Sequence, residues 1–325
     1  MSTERTILVT GGAGFIGSHT CKALAQAGYH PVAYDNLSNG VQHAVRWGAF
    51  EAGDIRDHDR LSAVLTAHKP LAVMHFAGAI EAGLSTGDPL SFYDINVTGT
   101  NTLARVMHTH DVRHLVFSST AAVYGDPQSP LIAEDHRLAP INPYGRSKVM
   151  AEQLLQDAAR AHGFTFTALR FFNAAGADPD GELAEHHDPE THLIPLAIAA
   201  ARNPASSLSV YGQDYPTADG TCIRDYVHVT DLAHAHIRAL ECLLDGKPGL
   251  TLNLGSGQGH SVNQVLDMVE QRSGQRVRRA YQGRRPGDAA VLVADISAAK
   301  TQLGWSLQHS DLSQIIDHAL ATLPA

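Results

Sequence analysis

The chain has 325 residues, 44% apolar and 18% charged, which suits one large or two unequal globular lobes and excludes a disordered chain. With 24 basic against 33 acidic residues the net charge is −9, so no nucleic-acid surface is expected and an anionic ligand must rely on local arginines. Cys21, Cys222 and Cys242 form no CxxC pair, the N-terminus does not read as a signal peptide, and no apolar run is long enough to span a membrane; the expectation is a cytoplasmic protein with reduced thiols.

Thr6–Thr10 is a short apolar, β-branched run stopped by glycines, which predicts a buried parallel strand. The glycine loop follows, and Ser18 to Ala27 reads as a helix closed by Gly28. Strand, glycine loop and helix together form the context of a dinucleotide fingerprint. Gly12, Gly14 and Gly17 satisfy GxGxxG, and Gly11, Gly14 and Gly17 satisfy GxxGxxG equally well. In either register the backbone, with Phe15 and Ile16, can approach a pyrophosphate at the helix N-terminus. A second strand, Pro31–Asp35, ends on Asp35, 18 residues beyond Gly17, where a carboxylate accepts from ribose hydroxyls. No Arg or Lys stands between Asp35 and Val45 to hold an extra phosphate, so the expected cofactor is NAD. The plain alternative is an aspartate capping a turn.

Further strands are predicted to end at Gly53-Asp54-Ile55 and over Leu71–Phe76, with a helix over Asp57–His68 between them. In a doubly wound sheet, ligands sit at the carboxyl ends of strands, which places Asp54, Ile55, Phe76, Ala77 and Gly78 against the nucleotide. One helix is expected over Pro89–His110, and a strand over His114–Phe117 leads into the hydroxyl cluster Ser118-Ser119-Thr120. Asn142 then offers an N-cap and Pro143 a first helical residue, so a helix should run to about Ala161. Tyr144 and Lys148 stand four apart on its first turns. Spacing alone makes them an ordinary surface pair; an ammonium fixed beside a phenol would ease loss of its proton.

A strand over Phe164–Phe172 ends at Asn173, and the pattern changes there. Residues 174–190 form a long connection rich in Gly, Pro, Asp and His. Helices at Leu193–Arg202, Thr230–Leu244, Ser261–Arg272 and Leu312–Leu320 and a strand at Leu208–Tyr211 predict a smaller lobe over the mouth of the sheet. A strand and helix within Asp225–Leu254 could return to the main sheet. His186, His187, Asp188, Glu190 and His192 cluster in the connection, and His234 and His236 lie two apart. None follows a recognised ligand spacing, so solvated loop histidines and no metal are expected.

The glycine loop, Asp35, Gly53-Asp54-Ile55-Arg56-Asp57, Phe117-Ser118-Ser119-Thr120, Tyr144-Gly145-Arg146-Ser147-Lys148 and Arg170-Phe171-Phe172-Asn173 occur in order. Together they resemble the extended short-chain dehydrogenases/reductases. Asp214 to Val229, with Arg224-Asp225-Tyr226-Val227-His228 at its end, resembles more narrowly the UDP-glucose 4-epimerase family of nucleotide-sugar epimerases. The resemblance spans about residues 6–320 and implies an α/β fold, a Rossmann-type doubly wound parallel sheet with a smaller mixed α/β C-terminal substrate lobe. It implies an NAD-binding domain over 1–173, with return segments near 225–254, and a nucleotide-sugar lobe mainly over 174–325.

The implied reaction is 4-epimerisation of a UDP-sugar through a 4-keto intermediate, with tightly bound NAD regenerated each turnover. Tyr144 would act as base, Lys148 would hold the nicotinamide ribose and, with the positive nicotinamide, lower the phenol's pKa, and Thr120 would hydrogen-bond the sugar oxygen. Asn36, Asn96, Ser118 and Phe172 join the expected cofactor contacts. Arg224 and Arg285 would pair with the diphosphate, Asp288 would meet the uridine ribose, and Asn173, His192, Leu193 and Tyr211 would line the sugar and uracil ends. A homodimer is implied through the helices near Pro89–His110 and Tyr144–Ala161, with no nucleic acid or membrane as partner.

Thr120 stands where many members have Ser, Phe171 where Tyr is frequent, Leu84 where Glu is frequent and His192 where Asn is frequent. Leu292 replaces a bulky Tyr that crowds the sugar 2-substituent in some members, which leaves room for N-acetylhexosamines. Ala121-Ala122 cannot supply the acid-base pair of the related 4,6-dehydratases. Other UDP-hexosamine and UDP-pentose epimerisations remain as alternatives, as does an NAD-sensing module without catalysis, which would ordinarily lack the Tyr or the Lys.

Overall fold

The computed structural model describes residues 5–285 and 288–323; the Pro286-Gly287 dipeptide after Arg285 lies outside the described residues. The strands are β1 (Thr6–Thr10), β2 (His30–Asp35), β3 (Ala49–Ala52), β4 (Ala72–His75), β5 (His114–Thr120), β6 (Thr165–Phe171), β7 (Asn173–Ala175), β8 (Leu208–Tyr211), β9 (Ile223–His228), β10 (Thr251–Leu254), β11 (Gly259–Ser261), β12 (Arg279–Gln282) and β13 (Val291–Leu292). Seven of them form one sheet in the order β3-β2-β1-β4-β5-β6-β10, every neighbouring pair parallel. This is the doubly wound Rossmann-type sheet that the strand–loop–helix grammar predicts. Its order reverses between β1 and β4, and a ligand crevice opens at such a switch point.

Alternation along the strands divides the core into two layers, because successive side chains point to opposite faces. Ile7 and Val9 of β1, with Met74 and Val116, join Cys21 and Leu24 of the helix Phe15–Gln26 and Leu232 and Leu240 of the helix Val229–Leu244. Leu8, Val73, Leu115 and Phe117 face the other way, onto Leu61, Leu103, Met107 and Leu155 of the helices His58–His68, Gly99–Thr109 and Pro143–His162. The helix Val229–Leu244 and β10 thus belong with the main sheet, whereas β9 carries β7, β11 and β13 in a smaller sheet. That sheet, the β8–β12 pair and the helices Leu193–Arg202, Val262–Ser273 and Leu312–Thr322 form the smaller C-terminal lobe, with a third core around Ile194, Val210, Leu266 and Ile315.

Two expectations need correction. The single helix over Pro89–His110 is three pieces: Pro89–Tyr93, a π-helical turn over Asp94–Thr98, and Gly99–Thr109. A π turn accommodates an extra residue and redirects a side chain, and the redirected one here is Asn96, fully buried. The first helix starts at Phe15 rather than Ser18, since Gly14 already serves as its N-cap.

Several histidines are built into this core as neutral rings. His75 on β4 hydrogen-bonds Thr10 and Thr100 through its two ring nitrogens, and burial, helped by the charge on Lys148, pushes it down to about 3. Burial likewise pushes His236 and His19 down to about 4. In the unfolded chain such rings take up protons below about 6.5, while in the fold they resist protonation until about 3–4. The unfolded state therefore binds more protons throughout this window, and stability falls as the pH drops through it. Each ring contributes on the order of 1.4 kcal/mol per pH unit at the steepest point. Urea midpoints measured at about pH 7 and about pH 5 should show a clear loss at the lower value; equal midpoints would contradict buried neutral rings.

Candidate active site

The crevice at the switch point is a cleft of about 590 Å³, and most of the predicted cofactor residues meet there. Gly11, Gly14, Phe15, Ile16 and Gly17 form its floor, Asp35, Asn36, Asp54 and Ile55 one end, and Phe76, Ala77, Gly78, Ser118 and Phe172 its back. The structure also decides the glycine register. Gly11, Gly14 and Gly17 line the cleft, while Gly12 turns onto β2, where a Cβ would stand 2.7 Å from the Ala33 Cβ.

Each of the three lining glycines has its own reason. Gly11 holds φ +73° and passes so close to β4 that a Cβ would lie 2.6 Å from the Ala77 amide nitrogen. A Cβ on Gly17 would lie 2.1 Å from the Gly11 carbonyl oxygen. At Gly14 a Cβ would meet only the Gly11 carbonyl, at 3.4 Å, so this is the face on which a ligand can approach the backbone. Gly14 has no capping side chain, and Ser18 is the first amide to find an intrahelical acceptor, the Gly14 carbonyl at 2.9 Å. The amides before it form the anion-attracting end of the helix. These features fit the pyrophosphate of NAD. Gly11→Ala should give purified protein with far less NAD than wild type; full NAD content after denaturation and chromatography would overturn this role for the loop.

Asp35 is buried at the end of β2 and accepts from the Ala13 amide at 3.0 Å and the Leu37 amide at 2.8 Å. It braces the glycine loop while facing the cleft, so the turn-capping and ligand-facing readings hold together. Burial raises its pKa, with those two amides opposing. Asn36 donates to Asp54 at 3.0 Å, and the Arg56 guanidinium holds the Asp54 carboxyl well below the usual carboxylate range. Asn96 does not line the cleft. It stands one layer behind, accepting from the Ala79 amide at 2.9 Å and donating to the Ala79 carbonyl and to Ser147 Oγ, and Ser147 in turn donates to the Tyr144 carbonyl at 2.7 Å. Its part is to fix the cleft wall to the Tyr144 helix.

That helix begins as its sequence predicts, with Asn142 Oδ1 accepting from the Gly145 amide at 2.8 Å and Gly163 closing it in the left-handed conformation. Tyr144, Lys148 and Thr120 all line the cleft, with the Thr120 hydroxyl close enough to the phenol to act on its pKa. Tyr144 and Lys148 are 8% and 4% exposed, which removes the surface-pair reading. Lys148 Nζ donates to the Ser118 carbonyl at 3.1 Å and lies 5.1 Å from the centre of the Phe117 ring. The expected lowering of the phenol by Lys148 does not hold in the protein alone. Burial pushes Tyr144 up to about 12; Thr120 acts against this and the Glu81 charge adds to it. Burial also pushes Lys148 down to about 8, with Glu152 countering it.

The predicted substrate residues divide into two groups. Thr120, Tyr144, Asn173 and His192 line the cleft, and Asn173 donates to the Asp225 carbonyl at 2.8 Å. Leu193, Tyr211, Arg224, Arg285, Asp288 and Leu292 are not part of its lining and lie on the smaller lobe. There Arg224 donates to the Ala289 carbonyl at 2.8 Å and stands 3.5 Å from Asp288, Leu292 is its register partner on β13, and the Arg285 guanidinium stacks on Tyr211 at 3.9 Å.

Sequence reasoning missed part of the wall: Asn39, Glu81, Phe92, Glu185 and His187. A usable signal existed only for Glu185 and His187, in the density of Glu and His after Asn173. The expectation of solvated histidines there is corrected for His187, whose side chain is 11% exposed beside Glu185 at 5%; His186 is exposed and the His192 side chain is 43% exposed, and both His187 and His192 point Nδ1 at carboxylates.

The model of the "NAD dependent epimerase/dehydratase family" matches residues 7–255. A UDP-glucose 4-epimerase of Rhizobium leguminosarum bv. trifolii is 52% identical over 314 residues, 97% of this chain and 96% of that protein. A crystal structure of UDP-glucose 4-epimerase from Brucella ovis in complex with NAD superposes with a TM-score of 0.95 at 49% identity, covering 97% of both chains. A UDP-glucose 4-epimerase from Stenotrophomonas maltophila, with bound NAD and formylated UDP-arabinopyranose, gives a TM-score of 0.93 at 40% identity, covering 98% of this chain and 97% of that one. The chain belongs to the NAD dependent epimerase/dehydratase family, on the branch of the extended short-chain dehydrogenases/reductases that its UDP-glucose 4-epimerase relatives occupy.

Proposed function

We propose that the protein interconverts UDP-glucose and UDP-galactose by NAD-dependent inversion at the sugar C4, with Tyr144 as acid-base, Thr120 as its hydroxyl partner and Lys148 as electrostatic support. The carrying observation is that these three side chains meet in the same cleft as the glycine loop. NAD, when bound, supplies reversible oxidation and reduction at that carbon. The residues that would hold it are Gly11, Gly14, Phe15, Ile16 and Gly17 at the pyrophosphate, Asp35 and Asn36 at the adenosine ribose, and Lys148 with Phe76, Ala77, Gly78, Ser118 and Phe172 toward the reacting end.

The chain's own contribution is proton management. A phenol at about 12 keeps its proton at neutral pH, and the base is switched on only when its ligands bring further positive charge into the cleft. Thr120 holds the sugar oxygen while Tyr144 takes and later returns the hydroxyl proton. Arg224 and Arg285 are proposed for the diphosphate, since guanidinium suits paired oxygens. Asp288 and Tyr211 are proposed for the uridine end, and Asn173, His192, Leu193 and Leu292 for the sugar. The test is whether purified protein interconverts the two UDP-hexoses with no cofactor added; protein that stays inactive even when supplied with NAD overturns the reading.

Leu292 supports some turnover of UDP-N-acetylhexosamines, because its side chain is smaller than the Tyr of crowded sites. The expected result is measurable conversion of UDP-GlcNAc beside ready conversion of UDP-glucose; undetectable conversion removes that extension. The relative that binds formylated UDP-arabinopyranose supports keeping pentoses in the same panel.

The proposed domain division is 1–173 with return segments near 225–254, against 174–325. A homodimer is proposed through the helices near Pro89–His110 and Tyr144–Ala161, supported by Leu90 and Met150, 77% and 45% exposed on that face. Among the described residues no helix is long and apolar enough to cross a membrane, and three buried free thiols support the proposed cytoplasmic location.

A further inference from the structure

We propose that Glu185, His187, Glu190 and His192, at the edge of the cleft, form a binding site for one divalent transition-metal cation of the Zn2+ class. The four side chains each offer one ligand atom, and these atoms all lie within 4.8 Å of one another. His192 Nδ1 is 2.8 Å from Glu185 Oε1 and 3.1 Å from Glu190 Oε1, and His187 Nδ1 is 3.2 Å from Glu185 Oε1 and 3.8 Å from Glu190 Oε2. Ligands held tetrahedrally at about 2.0–2.1 Å from Zn2+ stand roughly 3.3–3.4 Å apart, and the two imidazole nitrogens, 2.8 and 3.2 Å from the shared Glu185 Oε1, lie close to that edge.

The donor set chooses the cation. Two imidazole nitrogens and two carboxylate oxygens suit zinc and its neighbours, while Mg2+ and Ca2+ prefer all-oxygen shells. His187 provides an independent sign. Its Nδ1 is buried and, although two carboxylates lie near, makes no aligned hydrogen bond to either. Deprotonated, this Nδ1 would have a lone pair free for a cation among the same carboxylates. Glu190 is held in place by the Thr191 and His192 amides, each 2.7 Å from its Oε1.

The other such cluster among the described residues differs in kind. Asp178, Asp180 and Glu182 converge on Lys22 Nζ at 2.8, 2.7 and 2.8 Å, so an ammonium already occupies their centre. In the Glu185–His192 group the carboxylates face two imidazoles rather than a fixed ammonium, and imidazoles can give up their protons to a metal. A metal there would tie the long connection after β7 to the start of the helix Leu193–Arg202 and so fix the rim of the cleft.

The test uses full-length protein with its native cofactor content, stripped of metal by a chelator and titrated with ZnCl2 by calorimetry. Elemental analysis and thermal melting follow on the same samples. Wild type should take up one Zn2+ per chain and melt at a higher temperature with it. His187→Ala and Glu185→Gln should each weaken uptake by more than the roughly 10–100-fold cost of losing a group that only orients a ligand. Asp180→Asn should leave uptake unchanged. Co2+ substituted for Zn2+ should give the intense visible absorption of a tetrahedral site. No uptake by wild type, or uptake equal to wild type in both the His187 and Glu185 variants, overturns the proposal.

Discussion

Tyr144→Phe is expected to lower turnover by roughly 10²–10⁴-fold, the usual contribution of a positioned acid-base group, while leaving the fold and the NAD content intact. The substitution removes one oxygen and keeps the ring. The ring packs edge-on against Phe92 at 6.4 Å, a contact Phe preserves. The helix cap, the Ser147 bond to the Tyr144 carbonyl and the Lys148 bond to the Ser118 carbonyl do not involve the phenol oxygen. Because burial already holds the phenol at about 12, its removal exposes no charge and relieves no repulsion that could disturb folding. Steady-state rates with UDP-galactose, beside NAD content and a melting curve, check the result. Near-normal turnover would show that the proton leaves by another route.

Arg170→Ala is expected to cost about 3–5 kcal/mol of stability, because it strands the buried carboxylate of Glu152. Arg170 and Glu152 are 5% and 2% exposed. The guanidinium donates through Nε at 3.0 Å and Nη2 at 2.6 Å to the two Glu152 oxygens, and through Nη1 to the Tyr124 hydroxyl and the Glu134 carbonyl. Glu152 also accepts from Ser119 on β5. One side chain on β6 thus fastens β5, the Tyr144 helix and the 134 region together directly behind Thr120. The charge on Glu152 also favours the protonated form of Lys148, held down to about 8 by burial. Urea unfolding of the variant measures the loss. A change below about 1 kcal/mol would mean that water or repacking compensates the carboxylate.

Much of the cleft was legible in the sequence because it rests on local rules. Thr6–Thr10, the glycine loop and Asp35 declare themselves by an apolar β-branched run, a glycine pattern and spacing, and Asn142-Pro143 marks the start of the Tyr144 helix without tertiary information. What stayed hidden depends on burial and on distant partners. The i,i+4 spacing of Tyr144 and Lys148 carries no record of the desolvation that raises one and lowers the other. The resemblance implies Asn96 as a cofactor contact, and only the fold shows that the π turn over Asp94–Thr98 also ties it to the Ala79 backbone behind Gly78. The histidines near Glu190 read as solvated because charged and polar types usually are; only the fold shows them closing on Glu185. The short strands β11, β12 and β13 left no alternation long enough to detect, and their pairing with β8 and β9 is set by the lobe around them.

The central claim is that Tyr144 exchanges a proton with the sugar oxygen while the hydrogen on C4 never passes through solvent. Converting UDP-galactose to UDP-glucose in deuterated water with the protein as purified, and reading C4 by mass spectrometry or NMR, tests this most directly. The account predicts inversion without added cofactor and with no solvent deuterium at C4. Deuterium at C4, or no conversion at all, would contradict it.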